Sequence, residues 1–282
     1  MKTHSIIETS AERARRDKIQ KWLSPSDPST NHNKALEERH DGTGQWFTRG
    51  RIFESFKQGG VPFLWLHGIP GCGKTILSAS IIEDLDQRPS IGTPVLLYFY
   101  FDFNDNRKQR LEDVLRTLLW QTLRYPGDFL REMVQLYASC QEGGVQPSVK
   151  ALLQTLDQVL QMMDDVRIVL DAVDECTTRS ALLPWLDSLV KQESGSIRIL
   201  VTSRKEHDIE IEFERWLAKD AIVPLRQLEV DRDISAYVLA RLRNDRQLQR
   251  WQKKPKIQEE IETLLMEKAN GMCVSSSAAI LL

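Results

Sequence analysis

Two hydrophobic rhythms alternate along the chain. Phe63-Leu64-Trp65-Leu66, Val95–Phe101, Val166–Leu170 and Ile197–Thr202 are short apolar-rich runs with many β-branched and aromatic residues. Runs that are apolar on both faces predict strands buried in the middle of a parallel sheet. Between them the apolar positions recur with a helical period. After Thr75 they are Ile76, Leu77, Ala79, Ile81, Ile82 and Leu85. Over Leu111–Leu123 they are Leu111, Val114, Leu115, Leu118 and Leu119. Over Val149–Met163 they are Leu152, Leu153, Leu156, Val159 and Leu160. A further helix is predicted over Ala181–Val190, with Pro184 near its first turn, where proline is tolerated. Ala221–Leu225 is a candidate fifth strand. Strand followed by helix, repeated, predicts an α/β fold built on a parallel sheet.

The two ends read differently. Ala11–Leu23 predicts a short helix stopped by Ser24-Pro25-Ser26-Asp27-Pro28, and Ser29–His40 is polar and reads as loop or weak helix. From Asp231 the pattern turns helical, with Ile234, Val238, Leu239 and Leu242 on one face. A second helix runs over Ile257–Ala269 to the stop signal Asn270-Gly271. The expected division is a lead-in over 1–41, an α/β core over 42–207, the end of the core with a partial all-α segment over 208–272, and a tail over 273–282. The tail, Cys273–Leu282, breaks sharply from what precedes it, which reads as a truncated or misassigned end. No internal repeat is visible.

Candidate chemistry begins where the first strand ends. Gly68-Ile69-Pro70-Gly71-Cys72-Gly73-Lys74-Thr75 fits G-x-x-x-x-G-K-[ST]. A turn of small residues lets successive backbone N–H groups point inward as an anion nest, and the following helix turns its positive end to the same place. Lys74 would reach the β- and γ-phosphates of a nucleoside triphosphate, and the Thr75 hydroxyl would ligate Mg²⁺. The competing reading is a chance match in a glycine-containing turn; the strand before it and the helix after it weigh against that. Cys72, inside the loop, is either an oxidisable thiol or simply a small residue, the blander reading being the stronger.

Such a loop needs an acidic partner at a neighbouring strand end. Asp171, closing Val166–Leu170, stands at the Walker B position and would hold Mg²⁺ through water. Glu175, in Asp171-Ala172-Val173-Asp174-Glu175, is a candidate to orient or deprotonate an attacking water. The alternatives are a helix cap for Asp171 and solvated loop charges for Asp174 and Glu175. Arg204 follows Val201-Thr202-Ser203 at the end of another strand and could sense a γ-phosphate; its alternative is a surface ion pair.

Composition narrows the setting. The net charge of −2 argues against a general nucleic-acid or anionic-membrane binder, and Arg13-Ala14-Arg15-Arg16 reads as a solvated helix face. The four cysteines show no C-x-x-C spacing and the five histidines are scattered, so neither a disulfide framework nor a metal cluster is indicated. No signal-like run opens the chain, and Val95–Phe101 is too short to span a bilayer. The expectation is an intracellular, cytoplasmic protein.

Together these residues resemble a known group. Asp171-Ala172-Val173-Asp174-Glu175 looks like the extended Walker B of NACHT-type P-loop NTPases, and Val201-Thr202-Ser203-Arg204 resembles their sensor 1. Trp65–Thr75 resembles the P-loop of fungal NACHT proteins. Trp22-Leu23-Ser24-Pro25, Gly42-Thr43-Gly44-Gln45-Trp46-Phe47 and Tyr98-Phe99-Tyr100-Phe101-Asp102-Phe103-Asn104-Asp105 are similar to further hallmarks of that group, also described as the nephrocystin-type N-terminal domain. The resemblance implies a three-layer P-loop NTPase fold of the STAND, or NOD-like receptor, class. It implies contacts from Gly68 through Ile76 to ATP or GTP with Mg²⁺, and a switch whose triphosphate form can self-associate. For fungal members it implies a place in non-self recognition, heterokaryon incompatibility or regulated cell death. It also makes Thr43 and Gly44 candidate base or ribose contacts, a simple turn being the equal alternative. Departures are equally visible: no effector domain fits before Gly42, and neither a repeat sensor nor a winged-helix histidine follows. A nucleotide-binding module without catalysis and a small-molecule kinase on the same fold therefore stay open, with a DNA-transaction ATPase weaker still. The Asn-Lys-x-Asp guanine-reading motif is missing, which leans towards ATP without deciding it.

Overall fold

The computed structural model describes residues 10–40, 42–86, 92–191 and 197–225. The helices expected after Asp231 and the tail lie outside the described residues. In chain order the elements are α1 (Ser10–Leu23), α2 (Ser29–Glu38), α3 (Gln45–Thr48), α4 (Arg51–Lys57), β1 (Phe63–His67), α5 (Lys74–Leu85), β2 (Val95–Tyr100), α6 (Leu111–Thr122), α7 (Phe129–Ser139), α8 (Val149–Gln161), β3 (Val166–Asp171), α9 (Arg179–Val190), β4 (Ile197–Ser203), α10 (His207–Trp216) and β5 (Ile222–Pro224). The strands form one five-stranded sheet in the order β2-β3-β4-β1-β5. Every neighbouring pair is parallel.

The alternation of side chains along each strand divides the core into two layers. Phe63, Trp65, Leu97, Phe99, Ile168, Leu170, Ile199 and Val201 face one way, into a cluster with α6, α8, α9 and α10. Leu64, Leu66, Leu96, Tyr100, Val169 and Leu200 face the other, against Phe47, Phe53, Phe56 and the Leu77, Ile81, Ile82 and Leu85 stripe of α5. The result is a helix–sheet–helix sandwich, which is why the central strands β3 and β4 are buried on both faces. At the edge, Ile222–Pro224 pairs along Trp65–His67, so the fifth strand forms, only three residues long. Proline at its end fits an edge strand, where no partner requires its missing N–H.

Against the sequence reading, one open alternative is decided and one helix boundary moves, while α3, α4, α7 and α10 were not anticipated. Ser29–His40, expected as loop or weak helix, forms α2 over Ser29–Glu38. It is held from outside rather than by its own propensity. Ala35 is buried, and Arg39 just past its end pairs with Glu83 of α5 at 2.6 Å. The helix expected over Ala181–Val190 begins two residues earlier, at Arg179, so Pro184 sits inside it rather than in its first turn. There the ring removes one backbone donor. Burial of Leu182, Leu183, Trp185, Leu186 and Leu189 holds the helix around it.

The lead-in is stitched to the sheet's flank. Trp22 is buried, donates from Nε1 to the Val145 carbonyl at 2.9 Å, and meets the Tyr137 ring edge-on. Arg116 of α6 donates to the Leu23 carbonyl at 2.8 Å. Among the described residues, no helix is long and apolar enough to cross a membrane.

Candidate phosphate-binding site

β1, β3 and β4 lie side by side and all end at the same edge of the sheet. In parallel α/β sheets the crevice outside the carboxyl ends of the strands is where ligands bind. Register brings the expected pieces together. His67 pairs with Ser203, and the Gly68 N–H donates to the Ser203 carbonyl at 3.2 Å, so the loop leaves β1 beside the end of β4. Leu170 pairs with Val201, which sets Asp171 next to Thr202.

The loop itself turns on glycine. Gly73 has φ +85°, immediately before α5, a conformation that costs an L-residue about 1–2 kcal/mol and glycine nothing. It lets the backbone swing directly into the helix whose N-terminal amides face the loop. Ile69 and Pro70 are exposed at the loop's crest, and the Cys72 side chain is buried beneath it. Burial pushes the Cys72 thiol above its ordinary pKa, the opposite of what a reactive thiolate needs. Lys74 folds back across the loop, donating to the carbonyls of Gly68 at 3.0 Å and Ile69 at 2.9 Å. Ile76 is half-buried on the first turn of α5.

Beneath the loop lies a cluster of three hydroxyls on one carboxylate. Asp171 is 1% exposed. Its Oδ2 accepts from the Thr75 hydroxyl at 2.8 Å, and its Oδ1 accepts from Ser78 and Thr202, both at 2.6 Å. Thr202 in turn accepts the Ala172 N–H at 3.0 Å. Burial drives the Asp171 carboxyl above its ordinary pKa; the three hydroxyl donors and nearby Lys74 pull against that. Ala172 then bends the chain away with φ 58° and ψ 48°, a left-handed conformation unusual for alanine.

The remaining acids are placed apart from one another. Glu175 is half-buried and its Oε2 accepts the Phe103 N–H at 2.9 Å. Burial first, then the charges of Asp174, Asp171 and Asp102, raise its pKa, as suits a proton acceptor. Asp174, part of the extended Walker B motif with a solvated loop charge as its alternative reading, is buried and clasps Arg204. Its Oδ1 accepts the Arg204 N–H at 2.9 Å and its Oδ2 meets Nε at 3.1 Å. Arg179 secures that corner, donating to the Asp174 carbonyl and pairing with Glu206 at 2.9 Å and Asp208 at 2.8 Å. Arg204 thus stands at the rim of the crevice, partly exposed, with an ion pair behind it.

Gly44 and Thr43 arrive from outside the sheet. Gly44 is buried with φ +78°, and a Cβ there would lie 2.9 Å from Leu77 Cδ1. The turn is therefore packed on α5, one turn beyond Lys74, while Thr43 stays half-exposed. Ser78 was not singled out from sequence, though it left a trace, one of two serines interrupting the apolar stripe of α5. Thr202 and Asp174 stood inside the quoted sensor 1 and extended Walker B motifs but were given no role of their own, because they act across strands.

The profile of the family described as Nephrocystin 3, N-terminal, matches residues 42–204. The chain belongs to that family. The nephrocystin-type match starts at the Gly42-Thr43-Gly44 turn and ends at Arg204, so it takes in the loop, Asp171, Glu175 and the β4 end together. The chain is also similar to the vegetative incompatibility protein HET-E-1 of Podospora anserina, 26% identical over 184 residues, 64% of this chain. The matched part is 13% of that relative's length. The fungal NACHT-type resemblance read from the motifs is borne out by these two matches. Among solved structures, domain III of the Thermotoga maritima replication initiation protein DnaA aligns with a TM-score of 0.41 and 14% identity, over 86% of this chain and 85% of that one.

Proposed function

We propose that this nephrocystin-type domain binds a nucleoside triphosphate with Mg²⁺ over Gly68–Ile76 and works as a slowly hydrolysing, NACHT-type switch. The observation that carries the reading is the buried Asp171 joined by Thr75, Ser78 and Thr202 directly beneath the loop. A carboxylate has little reason to be buried there with three hydroxyl donors unless it serves the loop above it.

Mg²⁺ fits this donor set. It favours hard oxygens, takes one or two carboxylates, and completes its shell with water and phosphate oxygens. Thr75 Oγ1 and Asp171 Oδ2, already 2.8 Å apart, would hold it. When bound it would neutralise charge on the phosphate oxygens. Lys74 would exchange its two loop carbonyls for β- and γ-phosphate oxygens, and the loop amides would supply the rest of the cradle. Glu175 would take the proton of the attacking water, and Arg204 would meet the γ-phosphate. Thr43 would lie towards the base or ribose. ATP and GTP both suit what is present.

The switch follows from differential contacts. Arg204 and Lys74 would make bonds to the γ-phosphate that the diphosphate cannot offer, so the two nucleotides would bias different arrangements of the domain. Self-association in the triphosphate form, a cytoplasmic setting and a role in fungal non-self recognition extend the reading; the relative's name supports only a link to vegetative incompatibility. Phosphate release by the purified chain tests it. Slow, Mg²⁺-dependent release is expected, lowered to a residual but measurable rate in Glu175→Gln with nucleotide affinity kept. Equal release by the variant would remove Glu175 from its assigned role.

A further inference from the structure

The hallmark stretch Tyr98–Asp105 runs out of β2 into a loop that continues to Gln109, and the proposed site gives that loop no task. Its contacts supply one. The loop closes on itself: Asp102 N–H donates to the Lys108 carbonyl at 3.2 Å, and Gln109 Nε2 donates to the Phe103 carbonyl at 2.7 Å. On one side it grips the segment carrying Glu175. The Phe103 N–H holds Glu175 Oε2 at 2.9 Å, and the Gln109 carbonyl accepts both the N–H and the hydroxyl of Thr177 at 2.7 and 3.0 Å. On the other side it is fastened to α2, far away in sequence. Asn31 Nδ2 donates to Asp102 Oδ2 at 3.0 Å, and Lys108 Nζ donates to Thr30 Oγ1 at 2.9 Å and to Asn31 Oδ1. His32 Nδ1 meets the Tyr100 hydroxyl at 2.9 Å at the same corner.

Lys108 is the telling residue. It is 4% exposed. A buried ammonium is costly unless its donors are satisfied, and an apolar side chain of the same length would fill the space without that cost. Its hydrogen bonds to Thr30 and Asn31 bring a return only if the loop must be held to α2 in one place.

We propose that Asn31 and Lys108 are positioning residues for Glu175. They clamp the 102–109 loop to α2 and so fix the Phe103 amide that holds the Glu175 carboxylate. The segment ahead of the phosphate loop thereby sets the aim of the hydrolytic base, and a pull on α2 would slow hydrolysis without loosening the nucleotide. The catalytic half of this inference rests on the reading of Glu175 as that base.

Two measurements on the full chain test it. The first is amide hydrogen exchange in Asn31→Ala, a half-buried helix position whose loss leaves the core untouched, with Lys108→Met as a second variant. Exchange at Phe103 and across 172–178 is expected to rise roughly tenfold in both variants. Wild-type exchange at those amides, with any change confined to α2, would overturn the clamp whether or not the chain hydrolyses nucleotide. The second is phosphate release. Asn31→Ala is expected to lower it about tenfold with nucleotide affinity unchanged, since small misplacements of a reacting group cost rate rather than binding. In a Glu175→Gln background the same substitution is expected to add nothing. A further tenfold loss there would show that Asn31 does not act through Glu175. Loss of nucleotide binding in the wild type itself would instead count against the proposed function, leaving the exchange result to decide the clamp.

Discussion

Replacing Thr202 by valine removes one oxygen from the centre of the sheet and nothing else of size. Thr202 is 0% exposed and its hydroxyl has two duties: it donates to Asp171 Oδ1 at 2.6 Å and accepts the Ala172 N–H at 3.0 Å. Losing a hydrogen bond to a charged group costs about 1.5–3 kcal/mol, and orphaning a buried backbone donor costs about 1–3 kcal/mol more. The expected loss is therefore about 2.5–6 kcal/mol, a large part of the ~5–15 kcal/mol that holds a typical domain folded. Valine keeps the β-branched shape, so strand propensity and packing change little. Thr202→Ser is the control: it keeps the hydroxyl, drops one methyl, and should cost only about 1 kcal/mol. Urea unfolding of the two variants beside the wild type reads the difference as a shift in midpoint at constant slope. Near-equal midpoints for Thr202→Val and Thr202→Ser would mean that the hydroxyl carries no weight, and the account of Asp171 as a hydroxyl-braced carboxylate would fall.

Two further perturbations follow from the same coordinates. Ala172→Gly relieves a left-handed residue at φ 58°. The relief of about 1–2 kcal/mol is offset by ~0.5–1 kcal/mol of added chain entropy and ~0.8 kcal/mol for the buried methyl, so the thermal midpoint should stay close to that of the wild type; a drop of several degrees, as expected for an unstrained buried alanine, would refute strain there. Asp157 has a buried Oδ1 with no hydrogen-bond partner, and burial raises its pKa. Its folded pKa lies above the unfolded value of about 3.9, so the folded state binds the proton first and gains stability as pH falls into that window. Asp157→Asn should stabilise the chain at neutral pH and flatten that acid-side gain; a pH–stability profile parallel to that of the wild type would contradict the assignment.

How much of this was legible depended on where each interaction closes. Val95–Tyr100 and Val166–Asp171 announced themselves because both of their faces are buried, so apolar residues fill nearly every position, Arg167 and the strand-end Asp171 excepted. The phosphate loop was legible because one local turn contains its whole chemistry. α2 was not. Its sequence is polar, and its order comes from Arg39 meeting Glu83 and Asn31 meeting Asp102, partners distant in the chain. α7 and α10 escaped for a related reason. Each buries only a few residues, Phe129, Met133 and Leu136 in one and Ile209 and Phe213 in the other. Ile209 and Phe213 count because β1 places Phe63 and Trp65 against the Phe213 ring. In the site, Asp171 was visible as a strand-end acid, whereas Thr202 and Asp174 gained meaning only when register set β3 beside β4.

That register also ties Arg204 to Asp174, so the candidate sensor and the later acid of the Asp171–Glu175 motif form one unit. Braced by a buried carboxylate, the Arg204 side chain points along a limited range of directions, which suits the sensor role proposed for it.

The central claim is that Gly68–Thr75 grips a triphosphate. Calorimetric titration of Mg·ATP and Mg·GTP into the purified chain, beside Lys74→Ala, tests it most directly. Lys74 would make two charge-assisted contacts with phosphate oxygens, together worth about 3 kcal/mol or more, so the variant should bind at least ~100-fold more weakly while melting at nearly the wild-type temperature. Wild-type affinity in Lys74→Ala, or no heat of binding from the intact chain with either nucleotide, would contradict it.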